Sequence, residues 1–184
     1  MKDRLIFCLL LLLAIVSIGV RFLPHFPNFT PIGAFALFAG AYFSRKYKWG
    51  LGLPLLLMLV SDFFIGFYDW KLMAVVYASF AIYGIIGMLV AKRQNAGTVV
   101  LGSFAGAVFF YLATNFAVWA FSPWYEKTFE GLILSYALAL PFFRFTLLGD
   151  LVFSGIFFGV YEFARQLVLR PSSFQQSVFM IKKK

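Results

Sequence analysis

Seven apolar segments follow one another along this chain, separated by short connections that carry charges or prolines. Five of the segments contain 16 to 25 residues and two contain 12. A helix needs about 20 apolar residues to cross the hydrocarbon core of a bilayer, which is about 30 Å thick. The pattern therefore predicts an all-α, polytopic membrane protein. The segments are residues 5–20, 32–43, 51–66, 72–91, 99–121, 132–143 and 145–169.

The composition supports this interpretation. Of 184 residues, 62% are hydrophobic and only 12% are charged, whereas a soluble domain carries about 25% charged residues. The 26 phenylalanines offer more apolar area than the core of a small soluble domain could bury. These values argue against a soluble enzyme, a disordered chain and a disulfide scaffold. We expect residues 1–184 to form a single integral membrane domain in contact with the lipid bilayer.

The chain contains no recognisable catalytic or cofactor-binding motif. Phosphate-binding loops, dinucleotide-binding glycine patterns and zinc-protease motifs are all missing from the sequence. Cys8 lies inside the first apolar segment, and His25 has no second histidine at metal-binding spacing. We therefore predict no enzyme activity, no cofactor and no metal site. The net charge of +9 comes from short basic clusters between apolar segments, which favours a topological role over nucleic-acid binding.

The positive-inside rule decides between the possible topologies. Suppose that both termini are cytoplasmic, that residues 32–43 cross and that residues 132–143 stay on the outer side. Twelve basic residues then lie inside and four outside. Two other arrangements give splits of seven to nine and nine to seven. The rule therefore predicts six transmembrane helices, a short outer-side helix at 132–143 and a cytoplasmic basic tail at 170–184.

Pairs of small residues four positions apart recur in the apolar segments. Such pairs let helices approach closely inside a membrane. We expect them to serve packing inside the bundle, with a dimer interface as the alternative. The pairs are Ala36/Gly40, Gly102/Gly106, Ala113/Ala117 and Gly155/Gly159.

Polar side chains inside the predicted spans fall near the outer ends of four different segments. Ionisable groups inside a span are costly and by default suggest function. We therefore predict a solute-binding pocket that opens outward, roofed by aromatic loops at 21–31, 67–70 and 122–131. The alternative is a set of polar contacts that fix helix register. The six candidate binding residues are Asp62, Tyr77, Asn115, Trp119, Arg144 and Asp150.

Charge pairing is a specific expectation for this site. A charged side chain that faces lipid costs about 2.5–3.5 kcal/mol at the centre of a helix. We therefore expect Asp62, Asn115, Arg144 and Asp150 to face the interior of the bundle, with at least one carboxylate close to Arg144.

The order of motifs resembles that of a known group of transport proteins. The motifs are Arg21-Phe-Leu-Pro, Pro27-Asn-Phe-Thr-Pro-Ile-Gly-Ala34, Trp49-Gly-Leu-Gly-Leu-Pro54, Val60-Ser-Asp62, Phe109-Phe110 with Thr114-Asn115-Phe116 and Trp119, and Gly131-Leu with Pro141-Phe-Phe. Together they resemble the substrate-binding S components of energy-coupling-factor transporters, and more closely a family of small uncharacterised membrane proteins related to them. The resemblance covers residues 14–160.

The resemblance implies a six-helix fold with cytoplasmic termini. S components capture a vitamin or a similar micronutrient through a pocket near the outer surface. They then dock on a membrane coupling subunit that carries two cytoplasmic ATPases, which agrees with the missing ATP motif here. One feature departs from the pattern: S components commonly carry small residues on the first helix for docking. In this chain the cluster of small residues lies on residues 32–43 instead.

Two functions follow from these observations. The first is a multi-pass transport protein of the bacterial inner membrane that binds a micronutrient-like solute, alone or with a coupling subunit. The second is a non-catalytic accessory subunit of a larger membrane complex. The aromatic surface would then contact other membrane subunits.

Overall fold

The computed structural model of the chain describes residues 2–24, 26–46 and 51–169. Within these residues the fold is all-α, as predicted, and contains no β-strand. His25 and the predicted basic tail at 170–184 lie outside the described residues. The helices are α1 (Lys2–Phe22), α2 (Ile32–Lys46), α3 (Gly52–Ile65), α4 (Trp70–Val90), α5 (Ala96–Phe121) and α6 (Phe129–Leu169), and a single 3₁₀ turn covers Ala91–Arg93.

Helix α2 lies at the centre of the bundle. Every residue from Ile32 to Ala41 is buried, and α2 contacts all five other helices, most extensively α4. Glycines bring the two backbones together. A Cβ atom at Gly40 would overlap the carbonyl oxygen of Gly84, and one at Gly87 would overlap the carbonyl oxygen of Leu37. Residues 32–41 are therefore enclosed by protein on all sides.

Side-chain caps mark the starts of α4 and α5. Asp69 caps the start of α4 by accepting hydrogen bonds from the backbone N–H groups of Lys71 and Leu72. Asn95 and Thr98 form a capping box at the start of α5. Arg21 at the end of α1 and Tyr77 in the first half of α4 both bond to Asp62 near the end of α3. These helix ends, with the start of α2 that follows α1, therefore lie at one end of the bundle. We call it the Arg21 end.

The separate helix predicted at 132–143 is not observed. These residues form the first part of α6, a continuous helix of 41 residues that is about 60 Å long at a rise of 1.5 Å per residue. The sequence boundary was placed at Arg144, but one charge does not end a helix. Pro141 lies inside α6 as well, where proline removes one hydrogen bond and bends the helix.

Helices α5 and α6 cover different numbers of residues between two contacts that join them. The Tyr136 hydroxyl donates to the Leu112 carbonyl oxygen at 3.0 Å, and the Ser103 hydroxyl donates to the Ser154 hydroxyl at 2.9 Å. Between these contacts α5 covers nine residues and α6 covers eighteen. Helix α6 therefore takes the longer path, and Pro141 lies within it.

The connection at 26–31 packs against this part of α6. The rings of Phe26 and Phe145 stack at 5.0 Å between centroids, and those of Phe29 and Phe153 lie 5.4 Å apart. These ring contacts fix the connection against the middle of α6.

The outer surface of the bundle is strongly apolar. Phe63, Phe64, Trp124 and Phe129 are each 70–72% exposed, and an apolar surface of this extent marks contact with a membrane or another protein. Three helices are long and apolar enough to cross a membrane: Trp70–Arg93, Ala96–Phe121 and Phe129–Leu167. The other apolar helices are shorter by this measure, so the described structure identifies three candidate spans rather than the six predicted.

Of the four small-residue pairs, two are buried, Ala113/Ala117 is buried at Ala117 and half-buried at Ala113, and one is exposed. Ala36 and Gly40 are buried, and so are Gly102 and Gly106, which face α4. These pairs serve internal packing, as expected. The expectation fails for the pair Gly155/Gly159, where both residues are exposed and a Cβ atom at either would meet no atom within 4 Å.

Substitution of Gly40 by alanine tests the contact between α2 and α4. We expect Gly40→Ala to lower the free energy of unfolding by about 1–3 kcal/mol, because the added methyl group overpacks the interface. Gly155→Ala is the matched control. It adds the same group at an open helical site and should be neutral or stabilise by up to about 1 kcal/mol. Thermal unfolding of both purified variants provides the measurement, and equal effects would contradict the close approach.

Candidate functional site

Asp62 is held by two side chains at the Arg21 end of the bundle. Its carboxylate is 2% exposed. It accepts hydrogen bonds from the Arg21 guanidinium at 2.7 Å and from the Tyr77 hydroxyl at 2.8 Å. Arg21 also donates to the Ser61 hydroxyl. Because a buried charge is tolerated only when it is paired and hydrogen-bonded, these contacts account for Asp62 and Arg21 together.

Arg144 does not make the predicted ion pair. Its side chain is exposed, and its guanidinium lies over the ring of Phe145 at 4.8 Å from the centroid. Helix geometry keeps Arg144 away from Asp150. Six residues separate Arg144 from Asp150, which rotates their side chains about 120° apart around the helix. The expectation of a carboxylate beside Arg144 is therefore wrong, and Arg21 takes this role at Asp62.

The carboxylate of Asp150, a residue of α6, lies at the N-terminus of the central helix α2. It is 2% exposed and accepts hydrogen bonds from the Tyr83 hydroxyl and the backbone N–H of Ala34. A Cβ atom at Gly33 would overlap the Asp150 carboxylate, so glycine permits this approach. The unsatisfied N–H groups and the dipole at the N-terminus of α2 favour a negative charge at this position.

Two tyrosines of α4 donate hydrogen bonds to the two aspartates. Tyr77 binds Asp62 and Tyr83 binds Asp150. They lie six residues apart, about 9 Å along the helix axis. The two carboxylates are therefore bound by successive turns of one helix and share no hydrogen-bond donor among these contacts.

A cavity of about 220 Å³ lies between these two clusters. All six helices contribute to its wall, and the α1–α2 and α3–α4 connections contribute as well. Its volume is about one and a half times that of a cavity that holds benzene. It can therefore take a small molecule. One lining residue from each helix, in chain order, is Arg21, Gly33, Met58, Tyr83, Phe110 and Asp150.

The lining is amphipathic. Apolar walls come from residues such as Val76 and Phe80, whereas Asn28 and Thr30 add polar groups from the first connection. Tyr68 lies in the α3–α4 connection. Burial raises the pKa of its hydroxyl, and the negative charge of Asp62 raises it further. Tyr68 is therefore a neutral hydrogen-bond donor at physiological pH.

Of the six candidates, only Asp150 lines this cavity. Asp62 and Tyr77 contact the lining residue Arg21 or each other, and the last two candidates, Asn115 and Trp119, lie elsewhere. Asn115 lines an adjoining cavity of about 80 Å³, and its amide donates to the Tyr111 carbonyl oxygen at 2.8 Å. The two cavities share three residues, Asn28, Phe110 and Thr146. The Trp119 indole N–H donates to the Glu126 carbonyl oxygen at 2.9 Å. Trp119 lines neither cavity and instead stabilises the α5–α6 turn.

Sequence reasoning missed two residues of the site. Arg21 was counted only as an outer basic residue, although its place at the end of an apolar segment suits a partner for Asp62. Tyr83 was overlooked, although its hydroxyl belongs to an apolar segment and Gly84 and Gly87 follow it. Two of the predicted roof loops, 21–31 and 67–70, supply lining residues, whereas the loop at 122–131 does not line this cavity.

In the part of the chain that the structure describes, no three histidine, cysteine, aspartate or glutamate side chains are placed to hold a metal ion. The polar groups around the cavity are instead a guanidinium, tyrosine and threonine hydroxyls, an amide and a carboxylate. These groups suit an organic solute.

A double-mutant cycle tests the Arg21–Asp62 pair. We expect Arg21→Met and Asp62→Leu each to lower the free energy of unfolding by about 3 kcal/mol, because each leaves a buried or half-buried charge without its partner. The double variant should lose less unfolding free energy than the sum of the losses of the two single variants. Arg165→Met is the control, since Arg165 and Glu162 pair at 3.4 Å with both side chains partly exposed, and its loss should cost about 1 kcal/mol or less. Additive costs at Arg21 and Asp62 would refute coupling.

Comparison with known proteins assigns the chain to a family. Residues 1–173 match the family of unknown function DUF6580, and the chain belongs to this family. No curated protein and no solved structure matches the chain significantly.

Proposed function

We propose that this DUF6580 protein is a multi-pass membrane transport protein that binds a small solute from the outer side, with no catalytic chemistry of its own. The observation that carries the proposal is the cavity of about 220 Å³ with walls from all six helices. It combines an apolar lining with a guanidinium and a carboxylate. Such a combination is typical of small-molecule sites.

The proposed topology places six helices across the bacterial inner membrane, with both termini in the cytoplasm. The apolar surface and the three long helices support insertion, and the distribution of basic residues supports the orientation. Helix α2 contains 15 residues, about 22 Å in length. It can cross because protein surrounds it. In this topology the Arg21 end faces outward. Residues 132–143, predicted as a separate outer helix, are the first part of α6.

A role limited to helix register explains the site less well. Groups that only fix register pack against one another without space between them. Here Arg21 and Asp150 border the same open volume, and a polar cavity of this size is filled by water or by a solute. The cavity therefore favours solute binding over a role limited to helix register.

The resemblance to S components adds support and suggests a partner. A chain with no ATP motif needs a coupling subunit with ATPases, or another membrane subunit, for active uptake. The small residues of α2 are buried in the bundle and are therefore occupied by internal contacts. Gly155 and Gly159 are exposed and remain available for a neighbouring helix.

The accessory-subunit alternative rests on a second feature. A groove of about 560 Å³ lies between α5 and α6, lined by Val100, Phe158 and the two exposed glycines Gly155 and Gly159. In a larger complex, another membrane subunit would fill this groove.

A cavity-filling variant tests solute binding. Val76 lines the cavity, so Val76→Phe should occupy its volume without removing a charge. We expect a small molecule to co-purify with the wild-type protein and to be recovered by mass spectrometry after denaturation. Val76→Phe should retain less than about a tenth of it. Val152→Phe is the matched control, because Val152 is 48% exposed, and it should retain the wild-type amount. Equal recovery from both variants would exclude this cavity as the site.

Cysteine labelling tests the topology. In a Cys8→Ala background, we expect Trp124→Cys to react with a membrane-impermeant maleimide in intact cells. Lys184→Cys should react only after the cells are permeabilised. Trp124 suits the experiment because it is 72% exposed, whereas nearby Ser122 is buried. Labelling of position 184 in intact cells would overturn the orientation.

A further inference from the structure

The charges around the cavity do not balance. Arg21 and Asp62 neutralise each other at 2.7 Å. The only other ion pair that the structure describes is Arg165–Glu162, and Asp150 belongs to neither. One full negative charge therefore remains at the cavity wall when Asp150 is ionised.

The protein's own groups hold Asp150 without neutralising it. The Tyr83 hydroxyl and the Ala34 N–H donate to its carboxylate, and both are neutral. These donors fix the position of the carboxylate in the cavity wall. The dipole at the N-terminus of α2 offsets only part of the negative charge, and a buried carboxylate without a fully charged partner is costly.

The described basic side chains near this end of the bundle are engaged elsewhere. Arg21 binds Asp62 and Ser61. Arg144 is exposed over the Phe145 ring. Lys71 is also exposed and lies 5.9 Å from the centroid of the Trp70 ring. Lys127 donates to the Ser122 carbonyl oxygen. Among the described residues, no basic side chain therefore neutralises an ionised Asp150, and a bound cation is the remaining candidate for that role.

The cavity wall suits a cationic occupant in a second way. Phe80, Phe110, Tyr68 and Tyr83 all line it, and the faces of aromatic rings attract organic cations. A volume of about 220 Å³ admits a ligand on the order of ten non-hydrogen atoms, judged from the 150 Å³ cavity that holds benzene.

We propose that the cavity binds a small organic monocation, a protonated amine on an apolar or aromatic body. Its ammonium group pairs with Asp150 and its body lies between the aromatic and apolar walls. The inference rests on the proposed function, since it names the class of solute for the same cavity.

An anionic solute fits the geometry poorly. Two of the guanidinium nitrogens of Arg21 already donate to Asp62 and Ser61. A carboxylate ligand would have to compete with Asp62 and would lie in the field of Asp150. An anion is therefore disfavoured at both charged groups.

Three probes of similar size and different charge test the inference: phenethylamine, 2-phenylethanol and phenylacetate. Binding is measured by calorimetry with the full-length protein in lipid nanodiscs, with empty nanodiscs as the blank. We expect the amine to bind at least about tenfold more tightly than the alcohol, and phenylacetate not to bind. Tighter binding of phenylacetate, equal binding of amine and alcohol, or binding of none of the three would overturn the proposal.

Variants of Asp150 separate a charge effect from a folding effect. Asp150→Asn keeps a hydrogen-bond acceptor for Tyr83 and Ala34 but removes the charge. It should weaken amine binding at least about tenfold and leave alcohol binding within about twofold. Glu162→Gln, at the other end of the bundle, should change neither. Equal losses for amine and alcohol in Asp150→Asn would overturn a charge-specific role.

The chemical identity of the co-purified solute provides an independent test of the inference. A retained solute that carries a basic nitrogen supports the inference. A retained solute without one overturns it and leaves the proposed function intact, whereas equal recovery of solute from wild type and Val76→Phe refutes the proposed function itself.

Discussion

The close approach of α2 and α4 is the contact on which the rest of the structure depends. Gly40 and Gly87 remove the side chains that would keep the two backbones apart. The short α2 can then lie inside a ring formed by the other helices. Its N-terminus brings Gly33 and Ala34 to the Asp150 carboxylate. The same packing that buries α2 therefore builds the inner wall of the cavity.

Polar chemistry is concentrated where this packing leaves space. Arg21 and Asp62 stabilise each other across α1 and α3, and Tyr77 and Tyr83 extend from α4 to the two aspartates. The path of α6 past Pro141 leaves room for the connection at 26–31. A site built in this way uses every helix, although each helix is mainly apolar.

The sequence predicted the helical class and most helix positions because long apolar segments have few other structures available. Asp62, Tyr77 and Asp150 stand out in the sequence because polar residues are rare in such segments. The sequence does not predict which arginine pairs with an aspartate. Whether Arg21 or Arg144 meets an aspartate depends on helix rotation and on the continuity of α6. A single charge in the sequence does not determine either property. The exposure of Gly155 likewise depends on which faces of α5 and α6 meet.

The central position of α2 also has a consequence for how the chain assembles during synthesis. The helices that enclose α2 most fully, α4 and α6, are C-terminal to it. When α2 leaves the ribosome, it therefore lacks the surfaces that bury it. Asp150, which meets its first turn, is made more than one hundred residues later. Completion of the bundle must await α6, so a chain truncated before this helix lacks the last wall of the core.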